Sequence, residues 1–382
     1  MFTDVIILAG GFGERLWPAS SAKFPKQFMS LEDGASFLQT AIQRAVAMNI
    51  SGSILVITRK EISETVINQC SDLLEQCANE HQKDIIAKRL FVLSEPKPIH
   101  TAGAAAFGCH FLKKLFPDKE HTILVMTSDH VITPVEAFIN NTKKAYEAAK
   151  QNFFVCYAIP PEYPCTGFGY IKPGKPLESI VTDVVAGANT AEKKHTDVFF
   201  IDQFKEKPDE ETAKRYIRKG YFWNSGMFGF SADFFLSELK RHEPVVYEAF
   251  SLLNDAPKPE LPVINGIHCM KNWDELDKVY EKSPKVSIDN GIGEKTDKAC
   301  AVKASFAWKD IGTWDTFSSL FSEKLDKTAD IESKNCFVYS DIPVALCGVS
   351  DLIVVVKNNR VLVMKKGCSP LAKTAAHLID GE

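Results

Sequence analysis

Residues 5–28 read VIILAGGFGERLWPASSAKFPKQF, and this stretch gives the clearest indication of the fold. The apolar run Val5–Ala9 is typical of a buried strand, and it leads directly into the glycine-rich turn Gly10–Gly13. Glycines in such a turn let backbone N–H groups approach phosphate oxygens, because no Cβ blocks the approach. Arg15 and Lys26 add the positive charges that a triphosphate requires. The segment therefore predicts a phosphate-binding turn at the carboxyl end of the first strand.

Two better-known phosphate motifs do not fit the chain. The dinucleotide fingerprint G-x-G-x-x-G fails, because Leu16 stands where its third glycine belongs. The segment from Gly169 to Lys175 is similar to a P-loop, but Pro176 replaces the serine or threonine that would hold Mg²⁺. A nicotinamide dehydrogenase and a P-loop enzyme are therefore both disfavoured.

The first half of the chain alternates short apolar strands with helices. Near-continuous apolar strands between helices are typical of a buried parallel sheet, so we predict an α/β fold of the doubly wound, Rossmann-like type. Ligands are expected beyond the carboxyl ends of its strands. The predicted strands are Val5–Ala9, Ile54–Thr58, Phe91–Leu93, Thr122–Met126 and Phe153–Ile159, and the predicted helices are Ser36–Met48, Ile62–Glu80, Ala102–Leu115 and Val135–Lys150.

The last part of the chain has a different pattern, with strand candidates that follow one another closely. The segment DLIVVVKNNRVLVMKK predicts a hairpin that turns at Asn358–Asn359, and Leu371–Ile379 reads as a helix. No regular repeat is apparent there. We therefore predict a large domain over residues 1–320 and a small, mostly β C-terminal domain over residues 321–382.

Composition and charge exclude several classes of protein. The chain has 382 residues, of which 45% are hydrophobic and 25% charged, so a disordered or fibrous chain is excluded. A net charge of −4 argues against a protein that coats nucleic acid or an anionic membrane. No apolar run reaches the ~18–20 residues of a membrane span, and Asp4 stands where a signal peptide would carry positive charge. We expect a soluble, cytoplasmic protein without a nucleic-acid or membrane partner.

The cysteines and histidines form no recognisable framework. The sequence contains neither a C-x-x-C pair nor a close pair of histidines, which disfavours a zinc centre and a disulfide scaffold. Cys109, Cys156, Cys300 and Cys347 lie in small or apolar surroundings. We expect them to be buried free thiols, as in proteins of a reducing compartment.

Seven blocks that follow in order over residues 5–315 resemble the sugar-1-phosphate nucleotidylyltransferase family. The stretch LAGGFGERLWP…PKQF is most similar to the mannose-1-phosphate guanylyltransferase (GDP-mannose pyrophosphorylase) branch. The resemblance implies a mixed sheet of the nucleotide-diphospho-sugar transferase type, with residues 1–320 as its catalytic domain. The other six blocks are TSDHVI at 127–132, TGFGYI at 166–171, FKEKP at 204–208, WNSGMF at 223–228, SID with EK within 287–295, and WKDIGTW at 308–314.

The resemblance also implies a reaction. In this family a sugar 1-phosphate attacks the α-phosphorus of a nucleoside triphosphate in line, and pyrophosphate leaves. Such chemistry needs alignment and charge neutralisation rather than a covalent intermediate. The resemblance implies GTP and α-D-mannose 1-phosphate as substrates, GDP-mannose and pyrophosphate as products, and Mg²⁺ as cofactor. We also expect a homo-oligomer, a dimer.

The site residues that the resemblance implies fall into three groups. The catalytic group is Arg15, Lys26, Asp129 and Asp310, in which Asp129 and Asp310 would hold Mg²⁺ through hard carboxylate oxygens. The nucleotide-binding group is Leu8, Ala9, Gly10, Gly11, Gly13, Glu95, Thr101, Ala102 and Ser128. The group that binds the sugar phosphate is Gly169, Glu206, Lys207 and Asn224.

Structural alternatives exist for these residues. An aspartate after a strand is often a helix N-cap, so Asp129 has that alternative. A Glu-Lys pair before proline is often a solvated turn, which is the alternative for Glu206 and Lys207. Asn224 beside Gly226 is compatible with a simple turn residue.

The chain also departs from the guanylyltransferase branch at two places. That branch usually has E-P-x-G-R-N-T-A-P-A, and here Pro98, Ile99, His100 and Gly103 replace its Gly, Arg, Asn and second Pro. Asn290 stands where tyrosine is common. These departures leave open another sugar 1-phosphate, such as a manno-heptose or another hexose, or another nucleoside triphosphate. A non-catalytic regulator that binds a sugar nucleotide is the second alternative, and no C-terminal isomerase domain is expected.

Overall fold

The computed structural model describes residues 1–11, 14–178, 197–321 and 328–380. The chain forms two compact units, and each unit is made of three separate segments of the sequence. The first unit comprises Met1–Leu8, Ile42–Thr127 and Ile132–Trp308. The second comprises Ala9–Ala41, Ser128–Val131 and Lys309–Glu382. None of the helices in these ranges is long and apolar enough to cross a membrane.

Strands and helices are numbered in chain order. The strands are β1 (Asp4–Leu8), β2 (Ile54–Arg59), β3 (Leu90–Glu95), β4 (Thr122–Thr127), β5 (His130–Thr133), β6 (Phe154–Ile159), β7 (Tyr170–Pro176), β8 (Val198–Lys205), β9 (Phe222–Ser231), β10 (Val263–Ile264), β11 (Ile267–Cys269), β12 (Ala299–Lys303), β13 (Ala307–Asp310), β14 (Thr328–Ile331), β15 (Phe337–Ser340), β16 (Val344–Cys347), β17 (Leu352–Lys357) and β18 (Arg360–Lys365). The helices are α1 (Phe37–Ala47), α2 (Ser63–Gln76), α3 (Glu80–Arg89), α4 (Thr101–Leu115), α5 (Val135–Lys150), α6 (Glu210–Arg218), α7 (Ala232–His242), α8 (Pro244–Ser251), α9 (Leu276–Lys282), α10 (Trp314–Ser318) and α11 (Leu371–Asp380).

The first unit is built around one mixed sheet. In the described residues its strand order is β10-β11-β3-β2-β1-β4-β9-β6-β12-β8-β7. The strands β3, β2, β1 and β4 run parallel, whereas β9 is antiparallel to both β4 and β6. The buried apolar side chains of β1 pair in register with β2 on one side and β4 on the other, as with Val5 opposite Ile54 and Leu124. The predicted α/β fold with a mixed sheet is confirmed.

Small residues let one helix approach the centre of this sheet closely. The helix α4 carries a run of alanines and glycines, and its residues from Ala102 to Leu112 are buried. A Cβ added to Gly108 would lie 2.5 Å from Cδ1 of Ile6 in β1, so only glycine fits between the helix and the strand. This packing fixes the start of α4 near the carboxyl ends of the parallel strands, where ligands are expected.

The second unit contains a short parallel β-coil. Its parallel pairs join residues sixteen positions apart, Thr328 with Val344, Lys334 with Ser350, and Phe337 with Ile353. No regular repeat of residue types is apparent in this part of the sequence, although the backbone pairs at a fixed spacing of sixteen residues. The reason is that the pairing covers little more than one turn of the coil. So short a segment does not let residue types recur visibly.

The predicted hairpin at the end of this unit is confirmed. The strands β17 and β18 pair antiparallel, and Asn358 and Asn359 between them have φ of 54° and 57°. Asparagine tolerates this left-handed conformation better than most residues, which explains the turn. Among the expected buried thiols, Cys347 is exposed, because it follows the buried Leu346 and therefore points to the opposite side of β16.

Candidate functional site

Lys26, Asp129 and Asp310 meet in the second unit. The Nζ atom of Lys26 lies 2.9 Å from Oδ2 of Asp129 and 3.1 Å from Oδ1 of Asp310. The lysine is buried, with a side chain 6% exposed, whereas the two carboxylates are 35% and 22% exposed. A buried cation therefore holds two carboxylates together, and the carboxylates keep a solvent-facing side.

The electrostatics of this cluster follow from its geometry. Burial alone would lower the pKa of Lys26, but the charges and hydrogen bonds of the two carboxylates outweigh it and raise the pKa. Burial would raise the pKa of Asp129, but Lys26, His130 and Arg15 hold it well below its usual value. Lys26 and Asp129 are thus charged at neutral pH.

Local structure explains why these three side chains meet. Asp129 follows the buried strand β4, and Asp310 is the last residue of β13. Lys26 begins a one-turn 3₁₀ helix, Lys26–Phe28, whose three residues are all buried. The ammonium group also lies 5.7 Å from the centre of the Phe37 ring, so the lysine stem is held by packing as well as by charge.

Gln27 supports the glycine-rich turn, a role that the sequence analysis did not assign. Its Nε2 donates a hydrogen bond of 2.9 Å to the carbonyl oxygen of Ala9. A Cβ built on Gly11 meets no atom of the described residues within 4 Å, so none of them fills this side of the turn. Gly13 lies outside the described residues. The only signal for Gln27 in the sequence was its place in the PKQF block.

Arg15 lies against Gly312 in the same unit. A Cβ added to Gly312 would come within 3.0 Å of Nη1 and 3.3 Å of Cζ of Arg15. Ser128, another predicted residue, is buried beside Asp129 in the chain. The second unit therefore holds all four residues of the predicted catalytic group, together with Ala9, Gly10, Gly11 and Ser128 from the predicted nucleotide-binding group.

The predicted sugar-phosphate residues meet in the first unit. The backbone N–H of Asn224 donates to the carbonyl of Gly169 at 2.8 Å. A Cβ on Gly169 would lie 2.5 Å from Oε2 of Glu206, so the absence of a side chain there makes room for the carboxylate. Oε1 of Glu206 accepts from Nζ of Lys207 at 2.8 Å. The four predicted residues thus form one polar cluster.

The backbone at Lys207 is held in a strained conformation. Its φ is +44°, a value that non-glycine residues adopt rarely and at a cost of about 1–2 kcal/mol. The preceding N–H, of Glu206, donates to Oε1 of Glu294 at 3.0 Å. Glu294 therefore restrains the turn that presents Glu206 and Lys207. Glu294 belongs to one of the family blocks, although no role is predicted for it from the sequence.

The predicted nucleotide-binding residues of the first unit are engaged with neighbouring protein groups. Oε1 of Glu95 accepts from the Tyr280 hydroxyl at 2.9 Å, and burial raises the pKa of Glu95 to about 7 although this hydrogen bond opposes the rise. Thr101 accepts from the N–H of Ile288 at 2.9 Å, and the N–H of Ala102 donates to the carbonyl of Val286 at 3.1 Å. Leu8 ends β1 and is partly buried.

Comparison with known proteins assigns the class. The Nucleotidyl transferase family model matches residues 4–327, and a MannoseP isomerase/GMP-like beta-helix domain matches residues 326–369. The chain belongs to the nucleotidyl transferase family. This family implies a nucleotide and a sugar phosphate as substrates.

The relatives define the branch more closely. The mannose-1-phosphate guanylyltransferase of Salmonella montevideo is 33% identical over 95% of this chain and 71% of that protein. Mannose-1-phosphate guanylyltransferase 2 of Escherichia coli O157:H7 is 31% identical over 94% of this chain and 70% of that protein. The crystal structure of a mannose-1-phosphate geranyltransferase from Thermus thermophilus covers 100% of both chains at 29% identity, with a TM-score of 0.77.

Proposed function

We propose that this protein transfers a guanylyl group from GTP to α-D-mannose 1-phosphate, giving GDP-mannose and pyrophosphate. The relatives named mannose-1-phosphate guanylyltransferase support this choice of substrates, since they match nearly the full chain. The two alternatives, another substrate pair and a non-catalytic regulator, are not favoured by these relatives. The proposal predicts an enzyme of GDP-mannose biosynthesis.

The observation that carries the proposal is the cluster of Lys26, Asp129 and Asp310. The buried ammonium group of Lys26, whose neighbour Gln27 bonds to the carbonyl before the glycine-rich turn, suits a triphosphate, because the leaving group carries growing negative charge. We assign Lys26 and Arg15 to the phosphates of GTP. The backbone N–H groups of Gly10 and Gly11 would contribute further hydrogen bonds.

The reaction needs no covalent enzyme intermediate. A phosphate oxygen of mannose 1-phosphate forms a bond to the α-phosphorus of GTP, and the bond from that phosphorus to the bridging oxygen of the β-phosphate breaks. The electron pair of the broken bond stays with pyrophosphate, and the cations neutralise that charge. The task of the protein is to align the reacting groups and to stabilise the leaving group.

The residues present fit Mg²⁺. Magnesium is usually held by one or two carboxylates together with substrate phosphates. Asp129 and Asp310 offer two carboxylates, which the ammonium group of Lys26 holds together. When bound, Mg²⁺ would neutralise phosphate charge and polarise the α-phosphate.

The polar cluster of the first unit is assigned to the sugar phosphate. Lys207, whose side chain is 63% exposed, would contact the phosphate group, and Glu206 and Asn224 would contact sugar hydroxyls. Gly169 would allow the sugar to approach the backbone. These roles rest on the geometry of the cluster and on the position of its residues in the family blocks.

Pyrophosphate release by the purified protein tests the proposed function. Each of four nucleoside triphosphates is combined with mannose 1-phosphate, glucose 1-phosphate and a manno-heptose 1-phosphate in the presence of Mg²⁺. We expect the highest kcat/KM with GTP and mannose 1-phosphate. A higher value with another pair would assign that pair instead, and no release with any pair would refute the enzyme. The dimer and the cytoplasmic location stay predictions, and sedimentation of the purified protein measures the former.

A further inference from the structure

Asp289 lies next to the predicted sugar-binding residues, although it is not one of them. Its Oδ1 accepts a hydrogen bond of 2.8 Å from Nδ2 of Asn224. Burial and the neighbouring Glu206 raise the pKa of Asp289 to about 6, while its own backbone N–H, Lys207 and Asn224 act in the opposite direction. Asp289 therefore belongs to the same polar cluster as Glu206, Lys207 and Asn224.

The backbone at Asp289 is of a rare type. Residues Asp289–Gly293 form a single π-helical turn, in which the N–H of Glu294 donates to the carbonyl of Asp289 at 2.8 Å. Single π turns occur often at functional sites. The N–H of Ile288, just before the turn, donates to the hydroxyl oxygen of Thr101 at 2.9 Å. These bonds fix the turn, and they therefore fix the backbone position from which the Asp289 side chain extends.

The side chain of Asn224 is oriented by two hydrogen bonds. Its Nδ2 donates to Asp289, and its Oδ1 accepts from the N–H of Gly226 at 3.3 Å. An amide nitrogen carries two N–H donors, so one remains for a ligand after the bond to Asp289. A carboxylate has about four acceptor positions, so Asp289 keeps acceptor capacity as well. The pair presents a donor and an anionic acceptor side by side.

This arrangement complements two neighbouring hydroxyl groups. One hydroxyl oxygen can accept from the amide of Asn224, while the adjacent hydroxyl donates to the carboxylate of Asp289. Glu206 adds a further acceptor, because Lys207 holds its Oε1 and its Oε2 lies on the side of Gly169. An ionised phosphate group has only acceptor oxygens, so it suits Lys207, whereas Asp289 and Asn224 suit hydroxyl groups.

We propose that Asp289 is a specificity-determining residue that accepts a hydrogen bond from one hydroxyl of the sugar, next to the hydroxyl bound by Asn224. The inference rests on the proposed function, because it takes a sugar 1-phosphate as the ligand. The class of ligand is a pyranosyl phosphate with two free hydroxyls on adjacent carbons. Asp289 acts on binding and on the choice of sugar, and it takes no part in the bond changes at phosphorus.

Variants at Asp289, combined with sugars that lack one hydroxyl, test this proposal. The proteins are the wild type, Asp289→Asn, Asp289→Ala and the control Asp297→Asn, which removes an exposed aspartate paired with Arg241. The substrates are GTP with mannose 1-phosphate or with its 2-, 3- or 4-deoxy derivative, and pyrophosphate release is measured. Hydrogen bonds to charged groups are strong enough that we expect the KM for mannose 1-phosphate to rise about tenfold or more in both Asp289 variants. The KM for GTP and all constants of the control should change by less than about twofold.

The deoxy sugars distinguish contact from a merely structural role. In the wild type, one deoxy sugar should lose about tenfold or more in kcat/KM, and in Asp289→Ala the same sugar should lose little more, because its partner is already missing. Equal losses in both proteins for every deoxy sugar would overturn the proposal. A wild type that discriminates against none of them would also overturn it, and this result needs no folded variant. A wild type that is inactive with GTP and mannose 1-phosphate would refute the proposed function. The inference about Asp289 would then be refuted as well, because it rests on that function.

Discussion

Substitution of Glu95 by glutamine tests whether burial keeps this carboxyl group protonated well above its usual pKa of 4.5. Glu95 ends β3, is only 6% exposed, and accepts a hydrogen bond of 2.9 Å from the Tyr280 hydroxyl. Burial raises its pKa from 4.5 to about 7. In the unfolded chain the group loses its proton near pH 4.5, so between these values the folded state binds more protons than the unfolded state. Stability should therefore fall as the pH rises through this window.

The magnitude follows from the difference between the two pKa values. At about 1.4 kcal/mol for each tenfold change in an equilibrium constant, ionisation of Glu95 costs roughly 3 kcal/mol of stability above about pH 7. Glutamine keeps an oxygen that accepts from Tyr280 and has no charge to desolvate. Glu95→Gln should therefore match the wild type near about pH 5 and be more stable by about 2–3 kcal/mol near about pH 8.

Urea unfolding of both proteins at these two pH values measures the effect. Glu120→Gln, which removes an exposed carboxylate, is the matched control and should change stability little at either pH. A Glu95→Gln protein that is less stable than the wild type at both pH values would refute the reasoning. That result would mean that Glu95 is ionised in the folded protein and stabilised by its surroundings.

Four further predictions concern the proposed reaction. Asp129→Asn should lower kcat by about 10² or more with the fold intact, and unchanged activity at saturating Mg²⁺ would contradict its role. Lys26→Ala should weaken the use of GTP, whereas Lys207→Ala should raise the KM for the sugar phosphate; the reverse pattern would exchange the two assignments. In Gly312→Ala the added Cβ, 3.0 Å from Nη1 of Arg15, should displace the guanidinium and raise the KM for GTP several-fold, and an unchanged KM would show that Arg15 does not need that position. GTP should be preferred over ATP by at least ~10-fold in kcat/KM, equivalent to roughly 1.4 kcal/mol, and comparable values would refute the guanine preference.

Much of the fold could be predicted because apolar runs and turn residues in the sequence coincide with buried strands and turns in the structure. The run Val5–Ala9 indicates a central strand, and β1 lies at Asp4–Leu8 with parallel neighbours on both sides. The pair Asn358–Asn359 indicates a turn, because few other residues adopt the left-handed conformation at two successive positions. The antiparallel position of β9 between β4 and β6 could not be derived from periodicity, because an apolar run does not encode the direction of its partners.

The sequence suggests individual residues for the candidate site, but it does not indicate which of them contact one another. The sequence places Asp129 after a strand, yet nothing local indicates that a lysine 103 positions earlier lies between it and Asp310. Asp289 is missed for a similar reason, since its importance comes from Asn224 and from burial rather than from its neighbours in sequence. Contacts between distant segments depend on tertiary packing, and a single sequence carries that information only indirectly.

Two residues that depart from the family pattern near the start of α4, Ile99 and Gly103, depend on each other sterically. Cδ1 of Ile99 lies 2.5 Å from the place where a Cβ on residue 103 would stand, so the isoleucine requires the glycine at Gly103. Ile99 is buried, and its carbonyl accepts from the N–H of Val286 at 3.3 Å, while the N–H of Ala102 donates back to the carbonyl of Val286. Backbone bonds therefore hold the segment 99–102 to residues 286–288, whatever side chains stand at the altered positions. Because residues 286–288 lead directly into Asp289, these bonds also help to position the turn that carries Asp289. The altered loop thus keeps its backbone bonds to Val286, three residues before Asp289.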